Sequence, residues 1–285
     1  MALMLVSFSF GPALSKRIST PPLVTVFYRV WIAAALHWIV AMAMRRRPDW
    51  ALMRRTMLAG VAFGANIIVF FYALRHASVA NVTLISSLQP VAVLLVAGPL
   101  FGERVTRWDI GWTAVALGGA VVAVLGSNSK RAGIHTSIAG VLLSLGTLFT
   151  FTAYFLISKR VGQVQADHSA VHPITYMTGV LTTGALVITP VCLIAGEARQ
   201  LADLSRSATL AIFLLIVVTG GGHLFMTWTH RYVPVSVSTL VLLVQPVTAA
   251  LVAWPINGQQ VVAQQGVGAV IVLCAITAVV TRRAA

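Results

Sequence analysis

Four side chains stand out against an otherwise apolar chain: Arg29, Gln89, His223 and Gln245. Each lies inside a hydrophobic stretch, where a polar group without a partner is costly, so each must be doing something with its hydrogen-bonding groups. Arg29 is the single charged side chain deep in such a stretch. A guanidinium near a helix centre costs about 2.5–3.5 kcal/mol on insertion scales, so it must face protein or water and be paired. Two roles meet that demand: contact with an anion or carboxylate on a solute path, or snorkelling outward while holding neighbouring carbonyls. Gln89 and Gln245 each precede a proline, Pro90 and Pro246. Proline removes an amide donor and disturbs the carbonyl four residues back, here Ser86 and Leu242, so each helix should bend or loosen at membrane depth. The adjacent glutamine then either offers its amide to a central cavity or bonds a freed carbonyl in a packed kink. His223 follows Gly220, Gly221 and Gly222, which permit close helix approach or local unwinding. Its ring is either bonded structurally or turned into the space opened there.

The chemistry open to such a set is recognition of a small polar solute. Bond-making lacks its parts: there is no His-Glu-x-x-His, no Gly-x-Ser-x-Gly and no aspartate pair within the apolar stretches. The chain is not expected to be an enzyme. A Walker A motif is also missing, so movement of a solute would draw on a gradient. Cys192 and Cys274 both sit in apolar runs and suggest neither a disulfide nor a zinc site; no metal and no cofactor are expected. All six acidic residues, Asp49, Glu103, Asp109, Asp167, Glu197 and Asp203, fall in predicted loops or helix ends. A buried carboxylate is the usual partner of an organic cation or an exchanged proton, so neutral, zwitterionic or anionic solutes are favoured. If protons are coupled, His223 is the remaining titratable group of note. Asn66, Tyr72, Asn81, Tyr154 and Trp228 complete the candidate substrate-binding set; singly, such residues are also ordinary helix contacts or interface aromatics.

The elements that must position these residues are membrane spans. At 58% hydrophobic and 9% charged, the chain departs far from a soluble domain, and its formal charge of +14 is dispersed among links between apolar runs. That is the distribution of loops choosing a side of a bilayer, and no nucleic-acid partner is implied. Ten segments approach spanning length: about 2–15, 22–44, 57–75, 78–100, 108–126, 137–158, 172–195, 209–229, 234–256 and 262–281. The first is short and contains Pro12, so either Lys16 and Arg17 snorkel or the true start lies upstream of Met1. With both termini cytoplasmic, twelve Lys and Arg fall inside and seven outside, which favours that orientation.

Residues 75–105 laid on 231–261 at a constant offset of 156 agree at 13 of 31 positions, including Gln89/Gln245, Pro90/Pro246, Pro99/Pro255 and Gly102/Gly258. Gly64 then aligns with Gly220, Asn66 with Gly222 and Tyr72 with Trp228. Hydrophobic bias does not supply matched Gln, Pro and Gly, so the chain is read as an internal duplication. Repeat one covers 1–126, a polar linker 127–136, and repeat two 137–285, all forming a single membrane domain. An odd number of spans per repeat makes the two run in opposite senses: inverted repeats, with a substrate site where they meet. In segment 5, Gly111, Ala114, Gly118 and Gly119 give small-residue spacing that suits tight packing. The expected partners are a small-molecule substrate and the lipid bilayer, the protein being a monomer or a homodimer through helices 5 and 10.

The chain resembles the drug/metabolite transporter superfamily, and within it the ten-helix EamA-like members. The resemblance is carried by LISSLQPVAVLLVAGPLFGER at residues 84–104, by Asp109-Ile110-Gly111 through Gly118-Gly119, and by the second copy, VLLVQPVTAALVAWPINGQQ, at 241–260. Where the family pattern has Arg-Phe this chain has Arg29-Val30, and where the second repeat usually ends in Gly-Glu it has Gly258-Gln259. The resemblance implies an all-α, polytopic carrier of the inner membrane, often an exporter of amino acids or related metabolites, working by alternating access. Segments 3, 4, 8 and 9 would dominate its cavity, with 5 and 10 peripheral. A sensor or structural membrane protein without flux is the alternative.

Overall fold

The computed structural model of the protein describes residues 1–16, 18, 20–77, 82, 85–86, 88–102, 105–127, 137–163, 171–202, 204–230, 232–257 and 263–284. These residues form helices joined by short links, with no strand among them. In chain order the helices are α1 (Ala2–Lys16), α2 (Pro22–Ala43), α3 (Trp50–His76), α4 (Gln89–Phe101), α5 (Arg107–Ser127), α6 (Ile138–Gln163), α7 (Pro173–Ile194), α8 (Arg206–Thr229), α9 (Val235–Leu242), α10 (Gln245–Asn257) and α11 (Ala263–Ala284), with a 3₁₀ turn at Glu197–Ala202. Five stretches are individually long and apolar enough to cross a bilayer: Pro22–Ala43, Trp50–His76, Ile138–Val161, Pro173–Ile194 and Arg206–Thr229. All of the sequence-predicted linker except Ser127 lies outside the described residues, as does Asn81. The fold is all-α and that of a multi-pass membrane protein.

Local chemistry sets the helix starts. Asp49 accepts the backbone N–H of Leu52 at 2.7 Å and Ser205 that of Ala208 at 3.2 Å, while Pro22 and Pro173 open α2 and α7, where a missing N–H costs nothing. Inside the spans, Ser and Thr hydroxyls return their protons to the carbonyl one turn back, as Thr178, Thr182 and Thr189 do in α7. Their remaining lone pairs are then free for a neighbour: Thr182 and Thr189 accept from the indole N–H groups of Trp38 and Trp31 at 2.9 and 3.0 Å, stitching α2 to α7. Large apolar side chains such as Ile138, Phe149 and Ile194 are exposed, which places them against lipid.

Helix contacts recur with the halves exchanged. The packing of α3 on α6 is matched by that of α8 on α1, and α3 on α7 by α8 on α2, while α2–α7 and α5–α11 pair equivalent helices. The same pairings thus occur twice, with the helices of one half exchanged for those of the other. The α3–α7 contact depends on small residues: a Cβ at Gly60 would lie 2.8 Å from the Val180 carbonyl oxygen, and one at Gly64 3.2 Å from that of Gly184. Gly60 and Gly64 form a GxxxG face that brings the two backbones together. The α5–α11 pair stands to one side with its own small apolar cluster. There Gly119 fits against Gly268 and Ile271 of the same chain, whereas Gly111 and Gly118 face open space.

Segments 4 and 9 are broken at the same place. In segment 9, α9 ends at Leu242 and α10 begins at Gln245; in segment 4, α4 begins at Gln89. The backbone at the two breaks is bonded alike. Leu88 N–H donates to Ile85 at 3.1 Å and Val91 N–H to Leu88 at 3.0 Å; Val244 N–H donates to Val241 at 3.1 Å and Val247 N–H to Val244 at 3.0 Å. The break therefore falls before the Gln-Pro pair, and Pro90 and Pro246 occupy the second position of a new helical piece. Proline there removes an N–H that no preceding carbonyl could have used, so each starts a half-helix instead of kinking a continuous one.

At the end of α8 a buried cation holds the corner into α9. The Lys159 ammonium, from α6, donates to the carbonyls of His230 and Val233 at 2.6 and 2.7 Å. His230 itself is buried, its ring edge-on to Phe155 with centroids 4.4 Å apart. Burial, then the nearby Lys159 charge, lower its pKa from 6.5 to about 3. The unfolded imidazole therefore takes a proton below about pH 6.5 while the folded one stays neutral, so stability falls as pH drops through that window. His230→Phe is expected to flatten this acid slope in thermal unfolding of the detergent-solubilised protein; an unaltered slope would assign it to other groups.

Candidate functional site

Between the two halves lies a cavity of about 150 Å³, some ten times the space one water needs. Repeat one contributes α1 through Phe8, Gly11, Pro12 and Ser15, α2 through Arg29, α3 through Asn66, Ile67 and Phe70, and the segment-4 break through Ser86, Gln89 and Pro90. Repeat two contributes Thr147, Leu148 and Phe151 of α6, Thr219 and His223 of α8, and Leu242, Leu243, Gln245 and Ala249 at the segment-9 break. Five of the sequence-selected residues thus converge here: Arg29, Asn66, Gln89, His223 and Gln245.

Each is held differently. Arg29 donates from Nη2 to Thr219 Oγ1 at 2.9 Å, and its guanidinium carbon lies 5.8 Å from the Phe71 ring centroid. Thr219 gives its own proton to the Leu215 carbonyl at 2.6 Å, so its oxygen acts as acceptor toward Arg29. The Asn66 amide bridges α3 to α6, donating to Thr147 O at 3.1 Å and Thr150 Oγ1 at 3.2 Å. Gln245 Nε2 donates to Phe8 O at 3.3 Å, tying the segment-9 break to α1. Gln89 is buried and its Nε2 has no partner among the described residues; His223 Nδ1 and Ser15 Oγ share that condition. A buried group left without a partner costs about 1–3 kcal/mol, and three such groups around one cavity are poised for something that enters it.

The His223 ring stands in an aromatic box, edge-on to Phe8 and Phe63 with centroids 4.8 and 5.1 Å away and to Tyr154 at 5.7 Å. The triple glycine before it does not unwind, because α8 runs unbroken through Gly220–Gly222. Gly222 instead admits the Phe8 ring, which a Cβ there would meet at 2.8 Å. Tyr154 is fully buried behind His223, with its hydroxyl toward Met177 Sδ at 3.7 Å, and does not line the cavity. Tyr72 lies away from it too: its hydroxyl donates to Glu197 Oε1 at 3.3 Å, beside the Leu23 N–H that bonds Glu197 Oε2 at 3.0 Å. Trp228 is 52% exposed and packs on Tyr232. Among the residues that line the cavity, Ser15, Thr147, Phe151 and Thr219 had drawn no functional expectation from the sequence. Pro12 in the short first segment was the available signal that α1 differs from a plain span.

No acidic side chain is among the described residues lining the cavity. Asp49 caps α3, Asp109 accepts from Thr106 in the first turn of α5, and Glu197 joins α2 to α3 outside the cavity. The arrangement is suited to binding a small polar solute between the halves.

Comparison with known proteins places the chain in a family. The model of the EamA-like transporter family matches residues 1–125 and again 138–281. The uncharacterized transporter YwfM of Bacillus subtilis (strain 168) is 24% identical over 231 residues, covering 78% of this chain and 68% of that protein. The pseudopaline exporter CntI of Pseudomonas aeruginosa (strain UCBPP-PA14) is 27% identical over 192 residues, covering 64% of this chain and 63% of the exporter. The match thus spans less than two thirds of the exporter's length. One solved crystal structure superimposes with a TM-score of 0.76 at 18% identity, over 97% of this chain and 94% of that one, a likeness of fold.

Proposed function

Because this chain belongs to the EamA-like transporter family, we propose that it is a secondary transporter that moves small polar, amino-acid-like metabolites out across the cytoplasmic membrane by alternating access. The observation that carries this reading is the cavity at the meeting of the two halves, with Gln89 and Gln245 at its matching helix breaks. Broken helices paired by a pseudo-symmetry axis are where transporters of this general design bind their solutes, because backbone leaves regular helix at membrane depth only beside a cavity or buried protein. The name of the CntI relative supports export. In this reading the two repeats run in opposite senses, both termini are cytoplasmic, and the halves rock about the cavity so that it faces each side in turn.

Purified protein reconstituted into proteoliposomes and loaded with a mixture of amino acids, nucleosides and sugars tests the proposal. Protein-dependent loss of one class of solute is expected. Gln89→Ala should lower that flux by about tenfold, the loss of roughly one buried hydrogen bond to the solute, whereas Trp228→Leu on the outer face should leave it within about twofold. No flux of any solute, or flux indifferent to Gln89→Ala and Gln245→Ala together, would remove the site and favour a sensor without transport.

A further inference from the structure

We propose that the solute carries a carboxylate that docks on Arg29, and that the cavity discriminates against the amide and amine counterparts of the same molecule. This rests on the transport reading and names its substrate class. The inference comes from counting which hydrogen-bonding groups around the cavity are already used. Asn66 spends its amide on α6 and Gln245 spends its own on α1. Arg29 has five N–H donors, and among the described residues makes one hydrogen bond, to a hydroxyl that cannot neutralise it. Gln89 Nε2 is a second buried donor without a partner among the described residues. Arg29 thus keeps spare donors that carry a full positive charge, beside the unpartnered Gln89 Nε2, His223 Nδ1 and Ser15 Oγ.

The surroundings sharpen the selection. The lining is otherwise aromatic, aliphatic or hydroxyl-bearing, and no Asp or Glu is among its described members. A guanidinium in such low-dielectric surroundings repels a second cation strongly and attracts an anion with equal strength. A carboxylate accepts two N–H bonds from guanidinium in matched geometry and keeps lone pairs for the Gln89 amide. A primary amide of the same shape presents one acceptor oxygen to the guanidinium and carries no charge to neutralise it. A solute with a carboxylate and no net positive charge is thus the one class that both satisfies the free groups and neutralises Arg29.

Matched acid and amide pairs decide the matter: lactate with lactamide, N-acetylglycine with its amide, and phenylalanine with phenylalaninamide, each loaded into proteoliposomes of the full chain. Acids are expected to leave faster than their amides by about tenfold or more, because a site built to bond a group rejects the analogue lacking it. Arg29→Lys should keep that preference and Arg29→Gln erase it. Equal movement of acids and amides by the wild type, or an acid preference surviving Arg29→Gln, overturns the carboxylate site and leaves transport standing. The wild-type ratio alone suffices should Arg29→Gln not fold. Thermal stabilisation of the solubilised protein by the same pairs separates the two readings. Acid-specific stabilisation without flux keeps the carboxylate site and removes transport; neither stabilisation nor flux with any acid overturns the site.

Discussion

Gly60→Leu is expected to prevent α3 from docking on α7. A Cβ at that position would stand 2.5 Å from Thr183 Cβ and 2.8 Å from the Val180 carbonyl oxygen, and a backbone atom cannot swing aside as a side chain does. Lipid tails are as apolar as leucine, so helices in a bilayer are held by close packing and not by exclusion from water. Forcing the α3–α7 pair apart also loosens the seat of Asn66, which shares α3 with Gly60. Overpacking of a single methylene or two costs about 1–3 kcal/mol, and a leucine here should exceed about 3 kcal/mol. The measurement is recovery and thermal unfolding in detergent, with Gly118→Leu as control. A Cβ at Gly118 meets nothing within 4 Å, so that change should stay within about 0.5 kcal/mol. Equal behaviour of the two variants would mean that the α3–α7 contact does not hold the bundle.

Lys159→Met should cost about 2–3 kcal/mol, a fall of roughly 5–10 °C in Tm, although the side chains are similar in length. Lys159 is 4% exposed and its ammonium donates to two carbonyls, those of His230 and Val233, just past the end of α8. Methionine fills the space and takes the ammonium donor away from both oxygens, the His230 one in a buried contact. Arg206→Met, at the exposed start of α8, provides the comparison of a basic residue without such a role. Should the two variants melt together, the corner is held by its backbone alone.

Both the legible and the illegible parts of the site have physical causes. Arg29, Gln89 and Gln245 were readable because a charge or a Gln-Pro pair within an apolar run has few cheap explanations. The duplication located the breaks, but not that each Gln-Pro pair would open a half-helix. Thr147 and Thr219 were hidden because a threonine bonded to the carbonyl one turn back is the ordinary state of threonine in a span. Tyr72 and Trp228 were selected by their correspondence across the repeats. That correspondence gives position along a helix without telling which side of it meets the cavity, and the structure turns Trp228 outward. Lys159 counted in the sequence as one more loop charge; its burial depends on the return of the α8–α9 corner over α6, a contact between residues more than seventy positions apart. The boundary between the repeats rests on sequence alone.

The matched bonding at the two helix breaks bears on energy as well as shape. When each hinge in a machine is a copy of the other, flexing the first one way strains the same bonds as flexing the second the opposite way. On the transport reading proposed above, the two end states of such a machine would differ little in free energy, and the carrier would run in either direction, with net flow set by whichever side is richer in the solute.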